Sequence, residues 1–411
     1  MDTVVIGAGL SGLVAAIRLA RAGQSVTLLA KGLGGLQLSQ GTVDVLGYAP
    51  ERVERPFEAL ESYGKPAHPY RVIGASAVRT GVDYLAELVG PELLVGDPDR
   101  NVQLPTAVGA VRPTCLPQPS MLAGEIVERK RYSIVGFRQH KDFYADLCAA
   151  NLVRSAAGLG SAVTARGITL DLPGRPDEAD SSALTYARSF DDPSYRQRFT
   201  TLLKPKLEPG EVVGVPAVLG IKVLDAWRDV AERLGHEVFE IPTPPPGVPG
   251  MRLNERLTRL AKDAGVRIAL GSIVSGATSS GGRVQSVSLA AAGRDRTYAA
   301  ESFVFAPGGF ESGALTLNSY GTISERVFNL PLSGVRDDLV TGDYWADQAL
   351  FEVGVAVDEQ MRPLDPAGRV VYGNLHCAGG ILAGATRWSE KSGEGIALGS
   401  AVRAADAIRK A

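Results

Sequence analysis

The chain has 411 residues, 45% hydrophobic and 21% charged, which fits a protein with a large core divided into two or three lobes. Lys plus Arg number 43 against 45 Asp plus Glu, a formal net charge of −2, so the basic excess that a general nucleic-acid or anionic-membrane binder needs is missing. Cys115, Cys148 and Cys377 are scattered without a CxxC pair, which argues against a disulfide framework, a zinc site and an iron–sulfur cluster and fits a reducing, cytoplasmic setting.

Met1-Asp2 opens on an acid, and Gly7, Gly9 and Gly12 interrupt the apolar run behind it, unlike a secretory signal. No stretch of ~20 apolar residues is uninterrupted, so no direct membrane span is expected. Residues 3–6 predict a short buried strand, and Gly7-Ala-Gly-Leu-Ser-Gly12 follows it at once. Leu13, Ala16, Ile17 and Ala20 then recur at helical spacing up to Ala22-Gly23, and Val26–Leu29 predicts a second strand, completing a βαβ unit. Residues 105–240 read as less regular, with Pro-rich turns near 113–119, an acidic loop at 171–180 and one helix carrying Val223, Trp227, Val230, Ala231 and Leu234 on a face.

The stretch 241–250 holds five prolines in ten residues, so it is expected to be neither helix nor central strand but a stiff linker, or else a functional loop. Leu253, Leu257, Leu260, Ala261 and Ala264 predict a helix ended by Gly265, and Val266–Leu270 a strand. Residues 273–276, 284–289 and 297–299 predict a small meander with turns at Ser280-Gly-Gly282 and Gly293. Ser302–Phe305 is a further strand, and Ala397, Ala401, Ala404, Ala405 and Ile408 mark a closing helix. The fold expected is α/β: a Rossmann-like flavin-binding domain of the FAD/NAD(P)-binding type with an inserted α+β second lobe. Residues 1–104 and 250–411 would form the flavin-binding domain, 105–240 the inserted lobe and 241–250 the linker.

In the first glycine turn, Gly7 permits the tight bend, Gly9 lets backbone approach a phosphate and Gly12 lets helix pack on strand. Ala8, Leu10 and Ser11 complete it, and the helix amino terminus offers N–H groups and a positive dipole end to an anion. Such folds usually place an acid after the second strand to bind ribose. Here Ala30-Lys31-Gly32 stands there, and Lys31 suits a phosphate better than a ribose, or is a solvated loop lysine. That disfavours ordinary NAD, weakens FAD and leaves room for FMN or NADP. Ser39, Gly41 and Thr42 lie in Ser39-Gln-Gly-Thr-Val-Asp44, which can bring backbone against a flat ring or be an ordinary turn. Gly308 and Gly309 follow an apolar strand, and Gly379 and Gly380 close Gly373-Asn-Leu-His-Cys-Ala-Gly-Gly380. Gly395 and Ile396 open the closing helix, whose amino terminus can face the electron-rich end of a reduced isoalloxazine. His376 is the histidine best placed for proton transfer, a structural role being the alternative. Arg129-Lys-Arg131 can meet a phosphorylated ligand or be a solvated face. Hydrolase elbows, His-Glu-x-x-His and Walker loops are absent from the sequence.

These segments carry a resemblance. Asp2–Gly12, Leu38-Ser-Gln-Gly-Thr-Val-Asp-Val-Leu46, Arg112-Pro-Thr114, Ile134-Val-Gly136 and Asp142-Phe143 are similar to the B-subunit family of anaerobic glycerol-3-phosphate dehydrogenase. The most specific match is Glu240-Ile-Pro-Thr-Pro-Pro-Pro-Gly-Val-Pro-Gly-Met-Arg-Leu253, with Ala306–Phe310 and Glu325–Pro331 in support. The resemblance spans essentially the whole chain. It implies a flavoprotein subunit with FMN, FAD being the alternative, working with a FAD-containing catalytic A-type subunit. An iron–sulfur C-type subunit would anchor the complex peripherally at the inner face of the cell membrane and pass electrons to quinone. The implied reaction oxidises a small phosphorylated polyol, sn-glycerol 3-phosphate, to dihydroxyacetone phosphate. A self-contained flavin enzyme for another substrate and a non-catalytic assembly subunit are the competing expectations.

Overall fold

The computed structural model describes residues 2–271, 273–290, 296–343 and 345–410. The chain divides into two compact units, one of residues 1–35, 44–88 and 256–411 and the other of 36–43 and 89–255. The first unit opens with β1 (Asp2–Ile6), α1 (Leu10–Arg21) and β2 (Ser25–Ala30). β1 and β2 pair in parallel, and the Gly7 N–H donates to the Leu29 carbonyl at 2.9 Å, extending the ladder into the turn. Arg18 and Arg21 in the last turn of α1 suit its negative dipole end. Short helices α2 (Pro56–Ser62) and α3 (Tyr70–Ile73) then lead to α4 (Ala75–Val89).

In the second unit, β3 (Val102–Pro105) and β4 (Val111–Thr114) form an antiparallel pair. Next come β5 (Arg131–Phe137), α5 (Ala145–Ala157), β6 (Thr164–Leu170), α6 (Ala183–Phe190) and α7 (Pro193–Leu203). β7 (Val212–Pro216), α8 (Ala226–Leu234) and β8 (Val238–Ile241) complete it. The strands form a parallel sheet in the order β6-β5-β7-β8. This region is more regular than its sequence predicts. β5, β7 and β8 are buried on both faces, so they read as short apolar runs without the alternation that signals a strand. On one face Phe137 stacks on Tyr186 with ring centroids 4.6 Å apart, and Phe190 and Phe199 fill in around them.

The Pro-rich stretch 241–250 is not the linker expected. Ile241 ends β8, and α9 (Val248–Asp263) already begins at Val248, with Pro249 in its first turn, where a missing N–H loses no helical bond. The loop between them is held by a buried pair: the Arg252 guanidinium donates to both Glu240 oxygens at 2.6 and 3.0 Å and to the Gly220 carbonyl. Ser120 Oγ and the Leu219 N–H also donate to Glu240, each at 2.7 Å. Residues 241–255 therefore stay with the second unit, and so do 36–43, where the Gly247 N–H donates to the Gln37 carbonyl at 2.8 Å. The unit boundaries accordingly fall near 88 and 256, with a short excursion at 36–43, and not at 104 and 250.

Back in the first unit, β9 (Arg267–Leu270) is followed by an antiparallel meander, β10 (Ile273–Ser280), β11 (Arg283–Ala290) and β12 (Arg296–Ala299). Gly281 and Gly282 take φ of 57° and 70°, the positive values a two-residue hairpin turn demands. The turn expected at Gly293 lies outside the described residues. β13 (Ser302–Phe305), the small pair β14 (Leu315–Leu317) and β15 (Ile323–Glu325), and β16 (Leu375–Cys377) lead to α10 (Arg387–Glu390) and α11 (Gly393–Lys410). The main sheet is parallel throughout, in the order β16-β13-β1-β2-β9. Parallel pairing aligns all carboxyl ends, so the glycine turns after β1, β13 and β16 share one edge of the sheet.

Candidate cofactor-binding site

At that edge the three glycines of the first turn do different things. Gly7 has φ of 110° and a Cβ there would collide with the Ala306 carbonyl; a Cβ on Gly12 would collide with the Gly7 carbonyl. Gly9 has ordinary φ, and a Cβ on it would meet nothing within 4 Å. The outer glycines are thus required by packing, while the central one faces open space. Gly9 caps α1 without a side-chain acceptor, no acid stands in the first turn, and the helical ladder starts with the Leu13 N–H on the Gly9 carbonyl. The amides before Leu13 lie outside that ladder and face the helix dipole's positive end, an arrangement suited to phosphate. Gly34, at φ 77°, packs directly on Ala8 and Gly9, so the loop carrying Gly32 folds over the turn.

Beside the turn lies a cavity of about 400 Å³. Its apolar walls include Ile6, Leu29, Val274, Phe305 and Val327, and Gly7, Lys31 and Arg326 also line it. None of its described lining residues is acidic. Sequence reasoning anticipated Gly7 and Lys31; Arg326 lies in the Glu325–Pro331 stretch that supports the resemblance, but no role was read for it there. A slot of this kind, next to an open glycine turn and a free helix end, fits a nucleotide cofactor.

The chain compares closely with known proteins. The FAD binding domain family matches residues 2–396. A protein of Halobacterium salinarum, named as the probable B subunit of anaerobic glycerol-3-phosphate dehydrogenase, is 32% identical over 100% of this chain and 98% of its own. The chain belongs to the B-subunit family of anaerobic glycerol-3-phosphate dehydrogenase. A second member of that family, from Pectobacterium carotovorum subsp. carotovorum, is 29% identical over 100% of this chain and 98% of its own. Among solved structures, a 3-ketosteroid Δ1-dehydrogenase from Sterolibacterium denitrificans overlaps 100% of this chain and 99% of its own at 12% identity and TM-score 0.46, too loose to bear on chemistry. The domain family indicates a flavin, and FAD rather than the FMN that Lys31 suggests. A lysine at the ribose position is a weak discriminator, because an ammonium can donate to ribose oxygens as well as to phosphate.

In this member of the B-subunit family the remaining expected contacts are placed as follows. The Gly379 N–H donates to Ser400 Oγ at 2.9 Å, and a Cβ on Gly379 would overlap Ser11, so the turn after β16 packs on the start of α1. Gly308 has φ of 86° and crowds Ser312. Gly309 and Gly380 flank Arg387, which donates to the Gly380 carbonyl at 2.7 Å and to Glu311 at 3.0 Å. Ser39, Gly41 and Thr42 belong to the other unit. There Ser39 Oγ bonds the Leu36 carbonyl at 2.8 Å, Gly41 packs on Pro249 at φ 69°, and Thr42 Oγ1 accepts from Arg112 at 2.6 Å.

His376 sits within β16 opposite Val304, donates from Nδ1 to the Gln360 carbonyl at 2.7 Å, and is not among the residues lining the cavity. Burial lowers its pKa against the opposing Gln360 bond, keeping the ring neutral. Gly395 and Ile396 have their amides engaged: the Gly395 N–H donates to the Asp44 carbonyl at 3.0 Å and that of Ile396 to the Ser392 carbonyl at 3.0 Å. Gly395 is glycine because the Tyr70 hydroxyl occupies the space of a Cβ. Among the described residues no helix is long and apolar enough to cross a membrane, and no group of three His, Cys, Asp or Glu is placed to hold a metal.

The turn into α11 rests on Glu390. Its carboxylate accepts from Lys65 (3.1 Å), His68 Nε2 (3.0 Å), Thr386 (3.1 Å) and Ser392 (3.0 Å), and the Tyr70 N–H on His68 Nδ1 fixes the tautomer. Burial pushes the Glu390 pKa up, but the donors from His68 and Lys65 outweigh it and hold the group well below 4.5. A carboxylate depressed on folding stabilises fully above its unfolded pKa and loses that contribution as pH falls through its folded one. Glu390→Gln is therefore expected to lose about 1.5–3 kcal/mol at pH 7. Urea titrations from pH 7 downward should show the gap to wild type closing below pH 4.5; a constant gap would refute this role.

Proposed function

We propose that this chain is the flavin-carrying subunit of a glycerol-3-phosphate dehydrogenase complex, in which sn-glycerol 3-phosphate becomes dihydroxyacetone phosphate and electrons pass to an iron–sulfur partner and the quinone pool. The observation that carries this reading is the whole-chain likeness to relatives named as B subunits of that enzyme, joined to a glycine turn that is open at Gly9. Bound FAD would supply acceptance of an electron pair and its release one electron at a time to a relay.

The chain's own residues do the holding. The Gly7–Gly12 turn and the α1 amino terminus bind and orient the phosphates, with Lys31 adding positive charge. Gly308, Gly309, Gly379 and Gly380 shape the neighbouring edge of the sheet. His376 is better suited to supporting β16 than to acting as base, because its Nδ1–H is committed to Gln360. Substrate chemistry fits the FAD-containing A-type partner, this chain relaying electrons. A C-type iron–sulfur partner would hold the complex peripherally at the inner face of the membrane.

The test is to purify the folded chain, denature it and identify any released flavin by absorbance and chromatography. FAD near one per chain is the expected result. FMN would reinstate the phosphate reading of Lys31. A folded chain without flavin would instead favour a non-catalytic assembly subunit.

A further inference from the structure

A second cavity, of about 610 Å³, lies within the second unit at the carboxyl end of β5. Gly136 and Phe137 of that strand line it, together with Thr169 of β6 and the first turn of α5. β5 pairs in parallel with β6 on one side and β7 on the other, so the strand order reverses beside it. Open α/β sheets collect ligands at the carboxyl ends of strands where the order reverses, and a space of this size suits a small molecule.

His140 lines the cavity, is 1% exposed, and its Nε2 has no hydrogen-bond partner among the described residues. The other ring nitrogen faces the Ser181 carbonyl at 3.3 Å, so Nδ1 carries the proton and Nε2 is a bare acceptor. Burial lowers the His140 pKa against that bond and the charges of Asp142 and Asp180, keeping the ring neutral. Tyr186 packs against the ring with centroids 5.7 Å apart, while its own hydroxyl donates to the Leu172 carbonyl at 3.0 Å. A buried acceptor held in place and left unpaired costs stability unless something donates to it.

The opposite need arises at α5. Tyr144 caps that helix without a side-chain bond, and the ladder starts with the Cys148 N–H on the Tyr144 carbonyl at 2.9 Å. The amides of Ala145, Asp146 and Leu147 precede it at the positive end of the dipole. Gly136 lets this end approach β5, since a Cβ there would stand 3.2 Å from that of Ala145. Arg138 and Lys141 add two positive charges; Arg138 also meets exposed Asp171 at 3.4 Å, and Lys141 donates to the Arg138 carbonyl at 2.8 Å. Asp146 is the one acid among the described lining residues, and its Oδ1 lies against Gly167 of β6, so positive charge is in excess. The Tyr144 and Thr169 hydroxyls can donate or accept and do not decide the ligand. An ammonium donor for His140 would be repelled by Arg138 and Lys141, whereas a hydroxyl carries no such penalty.

We propose that this cavity binds a small hydroxylated anion, its charged group held at the α5 amino terminus by Arg138 and Lys141 and its hydroxyl donating to His140 Nε2. A phosphate ester and a hydroxycarboxylate share that chemistry. None of the glycine turns of the first unit contributes to the site, so it stands apart from the flavin reading.

The experiment titrates the full chain by calorimetry with two matched pairs at millimolar concentration: hydroxyethyl phosphate against ethyl phosphate, and lactate against propionate. Within each pair the members differ by one hydroxyl. Expected is at least about fivefold tighter binding of the hydroxylated member, in whichever pair carries the right anion. His140→Phe, which keeps a ring without an acceptor, should lose that preference. Arg138→Gln/Lys141→Gln changes two exposed side chains and should weaken both members at least about fivefold. If His140→Phe fails to fold, nitrogen NMR of the four wild-type histidines decides, because His140 Nε2 must be unprotonated and must shift with the hydroxylated probe alone. Equal binding within both pairs, or no binding of any probe, would overturn the proposal. So would a preference that survives His140→Phe, a protonated or unmoved Nε2, or an affinity unchanged in the double variant. Binding lost instead in Gly9→Ala would place the anion at the first unit's turn and overturn it too.

Discussion

Arg252→Met is expected to destabilise the second unit by about 3–5 kcal/mol, because it strands the Glu240 carboxylate in the interior without its counter-charge. The two side chains are 3% and 0% exposed, so water cannot replace the lost partner. The damage should extend along the network. Gln118 Oε1 accepts from Arg252 at 3.1 Å while its Nε2 donates to the Pro249 carbonyl at 2.8 Å, so the Pro-rich loop loosens as well. The measurement is the urea midpoint, with Glu240→Leu/Arg252→Met as the companion variant. Removing both charges should recover much of the loss, since burying an ion pair is itself costly. Recovery should stay incomplete, because Ser120 and the Leu219 N–H lose their acceptor. A single variant as stable as wild type would refute the account.

The glycine turn yields the second large effect, and it separates two reasons for being glycine. Gly7→Ala should lose at least about 3 kcal/mol or fail to accumulate folded, since its φ of 110° and the Ala306 carbonyl both exclude a side chain. Gly9→Ala should fold with stability within about 1 kcal/mol of wild type, its φ of −78° and empty surroundings being compatible with alanine. Its flavin affinity should nevertheless fall by roughly tenfold or more, because the added methyl fills the space through which a phosphate approaches the amides. Paired melting curves and flavin titrations check both variants. Flavin binding by Gly9→Ala at wild-type strength would show that the cofactor does not use this turn.

Much of the first unit was legible because its signals are local. Thr3–Ile6, the glycine triplet and Leu13–Ala20 lie within twenty residues, and each element's period appears within its own span. The meander and closing helix were readable for the same reason. The second unit was harder: a parallel strand buried on both faces gives an apolar run with no period, which is how β5 and β7 passed as irregular. Composition misled at 241–250, where prolines marked a linker but one sits harmlessly in a helix's first turn and the rest lie in a loop clamped by Glu240 and Arg252.

By itself, then, the sequence determined the βαβ unit, the glycine turn within it and the family, all properties of residue order over short spans or of whole-chain likeness. Only the tertiary structure decided which glycines are bound by packing and which one is open, since Gly7 answers to Ala306, Gly379 to Ser11 and Gly395 to Tyr70. It alone brought Arg326 to the cavity that Lys31 lines and committed His376 to Gln360. These pairings join segments that lie far apart in the chain, and a contact between distant segments leaves no pattern in either one.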